Sequence, residues 1–241
     1  MPLALDTLAL AVLAPLLAVQ ARHVRRKALI LPEAKGERQG PAGHDGQRLD
    51  LLILGDSSAA GVGVAHQEAA LSGQLTKLLA HSRPIAWRLE ARTGASTASA
   101  LRHLYRHPLA QAETVLVVLG VNDITSLTPL SRLLRQRAAL YARLKTEAGA
   151  RRILVTGLPP MGRFPLLPQP LRWVMGRRAA RFDAALARQA EALGCLYMRQ
   201  AIPFAPELMA ADGFHPGPAA YQLWAKAIAA RMAQPVPEVH P

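Results

Sequence analysis

Cysteine is all but absent from this 241-residue chain, with Cys195 standing alone. A disulfide framework and a cysteine-built zinc cage are thereby excluded, and packing must hold the fold in whichever redox compartment the protein works. Aromatic residues are scarce at 5%, too few to interleave with basic residues as stacking platforms do in single-strand nucleic-acid binders. Acidic residues are also in short supply, 16 against 29 lysines and arginines, for a formal charge of +13. Without the aromatics, the clusters Arg22/Arg25/Arg26/Lys27, Arg132/Arg135/Arg137 and Arg177/Arg178/Arg181 read as solvated helix faces, and no nucleic-acid partner is expected. No lysine follows Gly61 and Gly63 at phosphate-loop spacing, and His66, His81, His103 and His107 form no HExxH or H-x3-H pair. The sequence therefore implies no nucleotide, no metal and no other cofactor.

Apolar residues are plentiful. At 51% of the chain, with 19% charged, they describe a globular protein long enough to bury a real core. Residues 8–19 are apolar without a charge, and residues 3–5 extend the run across Asp6 and Thr7. A helix over residues 3–19 is about 25 Å long, slightly short of the roughly 30 Å hydrocarbon core of a bilayer. The basic cluster follows this run, whereas a secretory signal places its basic residues ahead of the apolar stretch. The order of charges favours an N-terminal membrane anchor over residues 1–28 with the domain on the cytoplasmic face. Export after cleavage near Val19-Gln20-Ala21 is the alternative, and a peripheral amphipathic helix is a third. Residues 29–48, rich in Gly, Pro and polar side chains, read as a flexible linker, with a folded domain over 49–233 and a tail over 234–241.

From Leu49 onward, short apolar runs alternate with helical patterns. Strands are expected at 49–55, 85–91, 113–120, 151–157 and 195–199, and helices at 67–80, 97–106, 130–148, 171–193 and 217–232. Strands apolar throughout and separated by helices indicate a parallel sheet covered on both faces, a three-layer α/β/α sandwich with five parallel strands. Such sheets bind ligands beyond the carboxyl ends of their strands. The residues there are Gly55-Asp56-Ser57, Arg92-Thr93-Gly94, Gly120-Val121-Asn122-Asp123 and Asp212-Gly213-Phe214-His215.

Those residues are the parts of acyl transfer: a hydroxyl nucleophile (Ser57), an imidazole base (His215) and a carboxylate to orient it (Asp212). The backbone N–H groups of Ser57 and Gly94 and the side-chain amide of Asn122 are the candidate donors to an oxyanion. Asp56 and Asp123 read as turn residues that order the loops under Ser57 and Asn122. Cys195 reads as a buried core residue. The GxSxG elbow of the α/β-hydrolases is missing.

GDSSAAGVG (55–63), RTGAS (92–96), GVND (120–123) and DGFHP (212–216), taken in that order, resemble the four blocks of the SGNH/GDSL hydrolases, a likeness spanning residues 49–230. Ser58-Ala59 stand where many members carry Leu-Thr or Ser-Thr. The resemblance implies a flavodoxin-like fold, serine esterase or lipase activity, a triad of Ser57, Asp212 and His215, and an oxyanion hole of Ser57, Gly94 and Asn122. The expected function is hydrolysis of carboxylic esters through an acyl-serine, with a small-molecule or lipid ester partner and acyl esters or lysophospholipids favoured. A carbohydrate O-acetyl esterase and a non-catalytic lipid-binding module on the same fold are the alternatives. Residues 158–173 combine five prolines with Met161, Phe164, Leu166 and Leu167, and read either as a cap lining an acyl pocket or as a packed connection over the sheet.

Overall fold

Leu51 and Ile53 point to one face of their strand and Leu52 and Leu54 to the other, and all four are buried. A strand apolar on both sides needs a layer of helix on each. The computed structural model, which describes residues 2–40, 48–109, 111–199, 203 and 205–234 and side chains from residue 13 onward, supplies both layers. Strands β1 (Leu49–Gly55), β2 (Ile85–Ala91), β3 (Thr114–Val118), β4 (Arg152–Thr156) and β5 (Leu196–Met198) form one sheet in the order β2-β1-β3-β4-β5. Every pairing is parallel, and the order is that of the flavodoxin-like doubly wound sheet.

One face is covered by α2 (Leu71–Ala80) and α7 (Pro218–Ala233), whose Leu71, Leu75, Tyr221 and Ile228 pack on Leu51 and Ile53. Helices α3 (Thr97–Arg106) and α5 (Leu130–Thr146) cover the other face, with Leu104, Leu140 and Leu144 against Leu52, Leu54 and Val117. Cys195 is buried in this second core, and burial pushes its thiol up to about 11. A third cluster caps the carboxyl edge of the sheet. There Met161, Phe164 and Leu167 meet Met175 and Phe182 of α6 (Leu171–Ala192). A further helix, α4 (Val121–Thr125), only five residues long, follows β3 directly.

The N-terminal segment departs from expectation. Helix α1 (Pro2–Lys27) runs on through the basic cluster with Pro15 inside it. Among the described residues no helix is long and apolar enough to cross a membrane. The apolar stripe Leu17, Ala21 and Val24 packs instead on the third cluster. The Gln20 amide accepts from the Leu171 N–H at 3.1 Å and donates to the Gln169 carbonyl at 2.6 Å.

Part of the expected linker is also packed. β2 is an edge strand whose outer backbone groups need partners. Residues 38–40 provide them: Leu89 N–H donates to the Arg38 carbonyl at 2.7 Å, and Gly40 N–H to the Trp87 carbonyl at 3.0 Å. Glu33 accepts from the Thr93 N–H at 2.6 Å, and the Arg38 guanidinium donates to the Ala91 carbonyl. Residues 41–47 of that linker and 235–241 of the tail lie outside the described residues.

Candidate active site

β1 ends at Gly55, where an added Cβ would sit 2.3 Å from that of Ala59 and 2.9 Å from the Val118 carbonyl oxygen. Only glycine lets the chain turn this closely against β3, and Asp56 N–H then donates to that same carbonyl at 3.0 Å. Ser57 follows, pointing along the sheet edge. Its hydroxyl lies 2.8 Å from His215 Nε2, and His215 Nδ1 lies 2.5 Å from the Asp212 carboxylate. Because an ionised carboxylate only accepts, Nδ1 carries the proton, and Nε2 is left to accept from the serine hydroxyl.

The Asp212 carboxylate does two jobs. One oxygen holds the imidazole, and the other accepts the N–H groups of Phe214 and His215 at 2.9 Å each, closing the turn that presents the histidine. Burial acts to raise this carboxyl, but the His215 side chain and the two backbone donors outweigh it and lower it below its ordinary value. The acid therefore stays ionised beside the imidazole.

Asn122 sits in the first turn of α4, and its amide donates to the Ala95 carbonyl at 3.0 Å, leaving its second hydrogen free to meet a ligand. Gly94 has φ +76° and nothing within 4 Å of an added Cβ, so its backbone is open on the same cavity wall as Asn122, Asp212 and His215. The two loops are tied together by Asp123, whose buried carboxylate accepts from Thr97 Oγ1 at 2.8 Å and from the Thr97 N–H. Asp123 thus bridges to a residue 26 positions away rather than closing a local turn. Asp56 does act locally, accepting from the Ser58 N–H at 3.0 Å. Burial pushes its carboxyl up to about 6, against the opposing effects of the Ser58 hydrogen bond and of His215 and Arg137 nearby.

Arg137 contradicts the reading of its cluster as a solvated face, being 0% exposed. Its position on α5 falls in step with Leu133, Leu140, Tyr141 and Leu144, the buried stripe of that helix, and this spacing was the available signal. Its Nη2 donates to the Leu119 carbonyl at 2.6 Å and lies 3.3 Å from where a Cβ on Gly120 would be.

Two cavities adjoin at Asn122 and Phe214. A small one of about 70 Å³ is bounded by Ser57, Val118, Leu158, Phe164 and Trp224. A wide groove of about 1100 Å³ is bounded by Gly94, Asn122, Asp212 and His215, and continues between α1 and α6. The segment 158–173 is at once a packed connection and a lining: Phe164 is 2% exposed within the third cluster yet walls the small cavity, and Leu166 and Leu167 wall the groove.

The chain has relatives with the same frame. A model of the GDSL-like lipase/acylhydrolase family matches residues 53–223. A GDSL-like esterase of Mycobacterium tuberculosis is 27% identical over 184 residues, which cover 72% of this chain and 58% of that protein. The chain thus spans somewhat over half the length of that relative. Among solved structures, the psychrotrophic esterase EstA from Pseudoalteromonas sp. superposes with a TM-score of 0.59 at 22% identity, covering 76% of this chain and 95% of that one. An acetyl-xylooligosaccharide esterase from Geobacillus Stearmophilus gives 0.61 at 17% identity over 81% and 98%. These two likenesses establish the α/β/α fold.

Proposed function

The chain belongs to the GDSL-like lipase/acylhydrolase family, and on that premise we propose that it hydrolyses carboxylic esters through an acyl intermediate on Ser57. The observation that carries the proposal is the hydrogen-bonded line from the Ser57 hydroxyl through His215 to Asp212. As Ser57 Oγ attacks the ester carbonyl carbon, His215 Nε2 takes its proton, and the carbonyl oxygen becomes an oxyanion. The N–H groups of Ser57 and Gly94 and the free amide hydrogen of Asn122 receive that charge, each worth about 3 to 4 kcal/mol. The carbon–oxygen bond to the alcohol then breaks, and His215 returns the proton to the departing alkoxide. A water enters, His215 deprotonates it, and the hydroxide attacks the acyl carbon. Ser57 leaves with its proton restored, and the carboxylic acid is released. Asp212 holds the histidine tautomer and stabilises the imidazolium at both steps.

The apolar walls of the wide groove favour acyl esters or lysophospholipids over sugar esters. A second reading, removal of short acyl groups such as O-acetyl, is supported by the small cavity beside Ser57. Relative turnover of p-nitrophenyl acetate and longer p-nitrophenyl esters separates the two.

The test is labelling with a fluorophosphonate, with the adduct mapped by mass spectrometry. Modification at Ser57, abolished in Ser57→Ala and slowed by an excess of competing ester substrate, is expected. Modification at any other residue overturns the assignment.

A further inference from the structure

The wide groove has a polarity that ester hydrolysis alone does not require. Helix α1 lines it with the stripe Ala14, Leu17, Ala18, Ala21 and Val24, small or apolar residues recurring at three- and four-residue spacings on one helix side. Facing them on α6 are Trp173, Val174 and Phe182, so the middle of the groove suits a hydrocarbon chain. Into these apolar walls four arginines are set: Arg25 on α1 and Arg177, Arg178 and Arg181 on α6.

Carboxylates are scarce inside the groove. Among the described residues the sole carboxylate in its lining is that of Asp212, which is committed to His215. Arg178 donates to the Thr128 carbonyl at 2.5 Å and lies over the Phe182 ring, and burial followed by repulsion from Arg181 lowers its pKa. Arg25 and Arg181 are exposed, and neither has an acidic partner among the described residues. Arg177 lies 5.3 Å from the Trp173 ring centroid, which bounds the same wall. Like charges gathered on an apolar surface repel unless an anion is brought to them. Arg177, Arg178 and Arg181 lie within about 6 Å of one another along the axis of α6.

We propose that Arg25, Arg178 and Arg181 form an anion subsite in the groove that opens on His215, and that the preferred substrate is a single-chain ester carrying a phosphate, an anionic lysophospholipid. This rests on the esterase reading and adds to it the sign of the substrate's charge. Helix α1 becomes a wall of the substrate site, held to α6 by the two Gln20 hydrogen bonds.

The experiment uses the full chain and has a turnover arm and a binding arm. In the first, 1-lauroylglycerol is compared with its 3-phosphate below their critical micelle concentrations. The expected kcat/KM is about tenfold higher for the phosphate at low salt, converging as ionic strength rises. In the double variant Arg25→Glu/Arg181→Glu the preference disappears or inverts, while p-nitrophenyl butyrate is turned over as before. In the second arm, calorimetry follows dodecyl phosphate, with dodecyl maltoside and inorganic phosphate as comparisons. Dodecyl phosphate is expected to bind best, since it alone offers both chain and charge, and to weaken about tenfold in the double variant. Equal handling of neutral and anionic ligands, or indifference to charge reversal, overturns the subsite. If dodecyl phosphate binds as expected while no ester is hydrolysed and Ser57 resists fluorophosphonate, the subsite stands and the esterase reading falls.

Discussion

The guanidinium of Arg137 reaches from the buried face of α5 to the carbonyl of Leu119, 2.6 Å away, and so grips the chain one residue before Gly120. Gly120 has φ +136°, and a Cβ there would meet Leu158 Cδ2 at 2.5 Å. Asn122 is therefore presented from a turn that is fixed from behind by a charge and can be made only by glycine. Arg137→Met keeps the apolar stem and removes the charged donor. It is expected to destabilise the fold by about 1.5 to 3 kcal/mol, a loss of roughly 3 to 12 °C in Tm for a chain of this size. Because the arginine acts through the loop, kcat should fall more than KM rises, and Arg137→Lys should recover part of both. A variant with normal kcat and a lowered Tm would reduce Arg137 to a structural prop.

Asn122→Ala should spare the fold and lose turnover. The amide has one hydrogen on the Ala95 carbonyl and one for the substrate, whereas Asp123 separately ties this loop to Thr97. The expected fall in kcat is about 100- to 1000-fold with KM little changed, the signature of a donor used in the transition state. A proportionate rise in KM would mean instead that Asn122 binds the ground state equally well.

Asp56 makes stability depend on pH in an unusual direction. Its buried carboxyl is raised from 3.8 to about 6, so between those values the folded state holds a proton that the unfolded state has released. Its contribution is complete below about pH 4 and is lost as pH rises through 6, a change of about 3 kcal/mol. Asp56→Asn keeps the oxygen that accepts the Ser58 N–H but cannot ionise. Relative to the parent, its Tm should rise progressively from pH 4.5 to pH 8, read by calorimetry. A difference that stays constant across that range would show that the carboxylate is held without penalty.

Phe164 joins lining and packing in one side chain. It is 2% exposed, meets Phe214 edge-on at 4.9 Å, and bounds the small cavity beside Ser57. Phe164→Ala is expected to cost about 3 to 5 kcal/mol and, where the protein still folds, to move the preference among p-nitrophenyl esters toward longer acyl chains. Phe164→Leu keeps most of the volume and should shift chain preference with far less loss of Tm. Unaltered preference in both variants would remove this residue from the acyl site.

The central strands were legible because each is apolar on both faces, a pattern that few other settings tolerate; β1 begins and ends where its sequence predicts, as does the edge strand β2. Ser57, Asp212 and His215 stood out because the sheet's carboxyl edge gathers whatever follows each strand, and the fold brings the three into hydrogen-bonding reach. Helix α4 escaped because five residues hold too little periodicity to register. The role of α1 escaped for a different reason. An apolar stripe records only that something apolar covers it, and here Leu17, Ala21 and Val24 are covered by the cluster that includes Met175 and Phe182 of α6. Residues 38–40 look polar and loose because their contribution is backbone hydrogen bonding to an edge strand, to which side-chain identity is nearly irrelevant. For Arg137 the charge outweighed the spacing, although the spacing was the better guide to its burial.

Two variants of Asp212 separate holding the histidine from building its turn. In Asp212→Asn the side-chain oxygen still accepts the Phe214 and His215 N–H groups, now 2.9 Å away, so the turn and the melting temperature should survive. The amide nitrogen, however, offers a hydrogen where His215 Nδ1 needs an acceptor. Nδ1 must give up its proton to accept from that amide, Nε2 becomes protonated, and it can no longer take the hydrogen of Ser57. The expected loss is about 10⁴-fold in kcat, as when this tautomer is inverted in other serine hydrolases. Asp212→Ala removes the acceptor from both places, so activity should fall at least as far and stability should fall as well, by about 1 to 3 kcal/mol for the backbone donors left without a partner, lowering Tm. If Asn and Ala variants melt alike, the two backbone bonds contribute little. If Asp212→Asn keeps nearly full turnover, His215 is not held through Nδ1 and the proposed proton route is wrong.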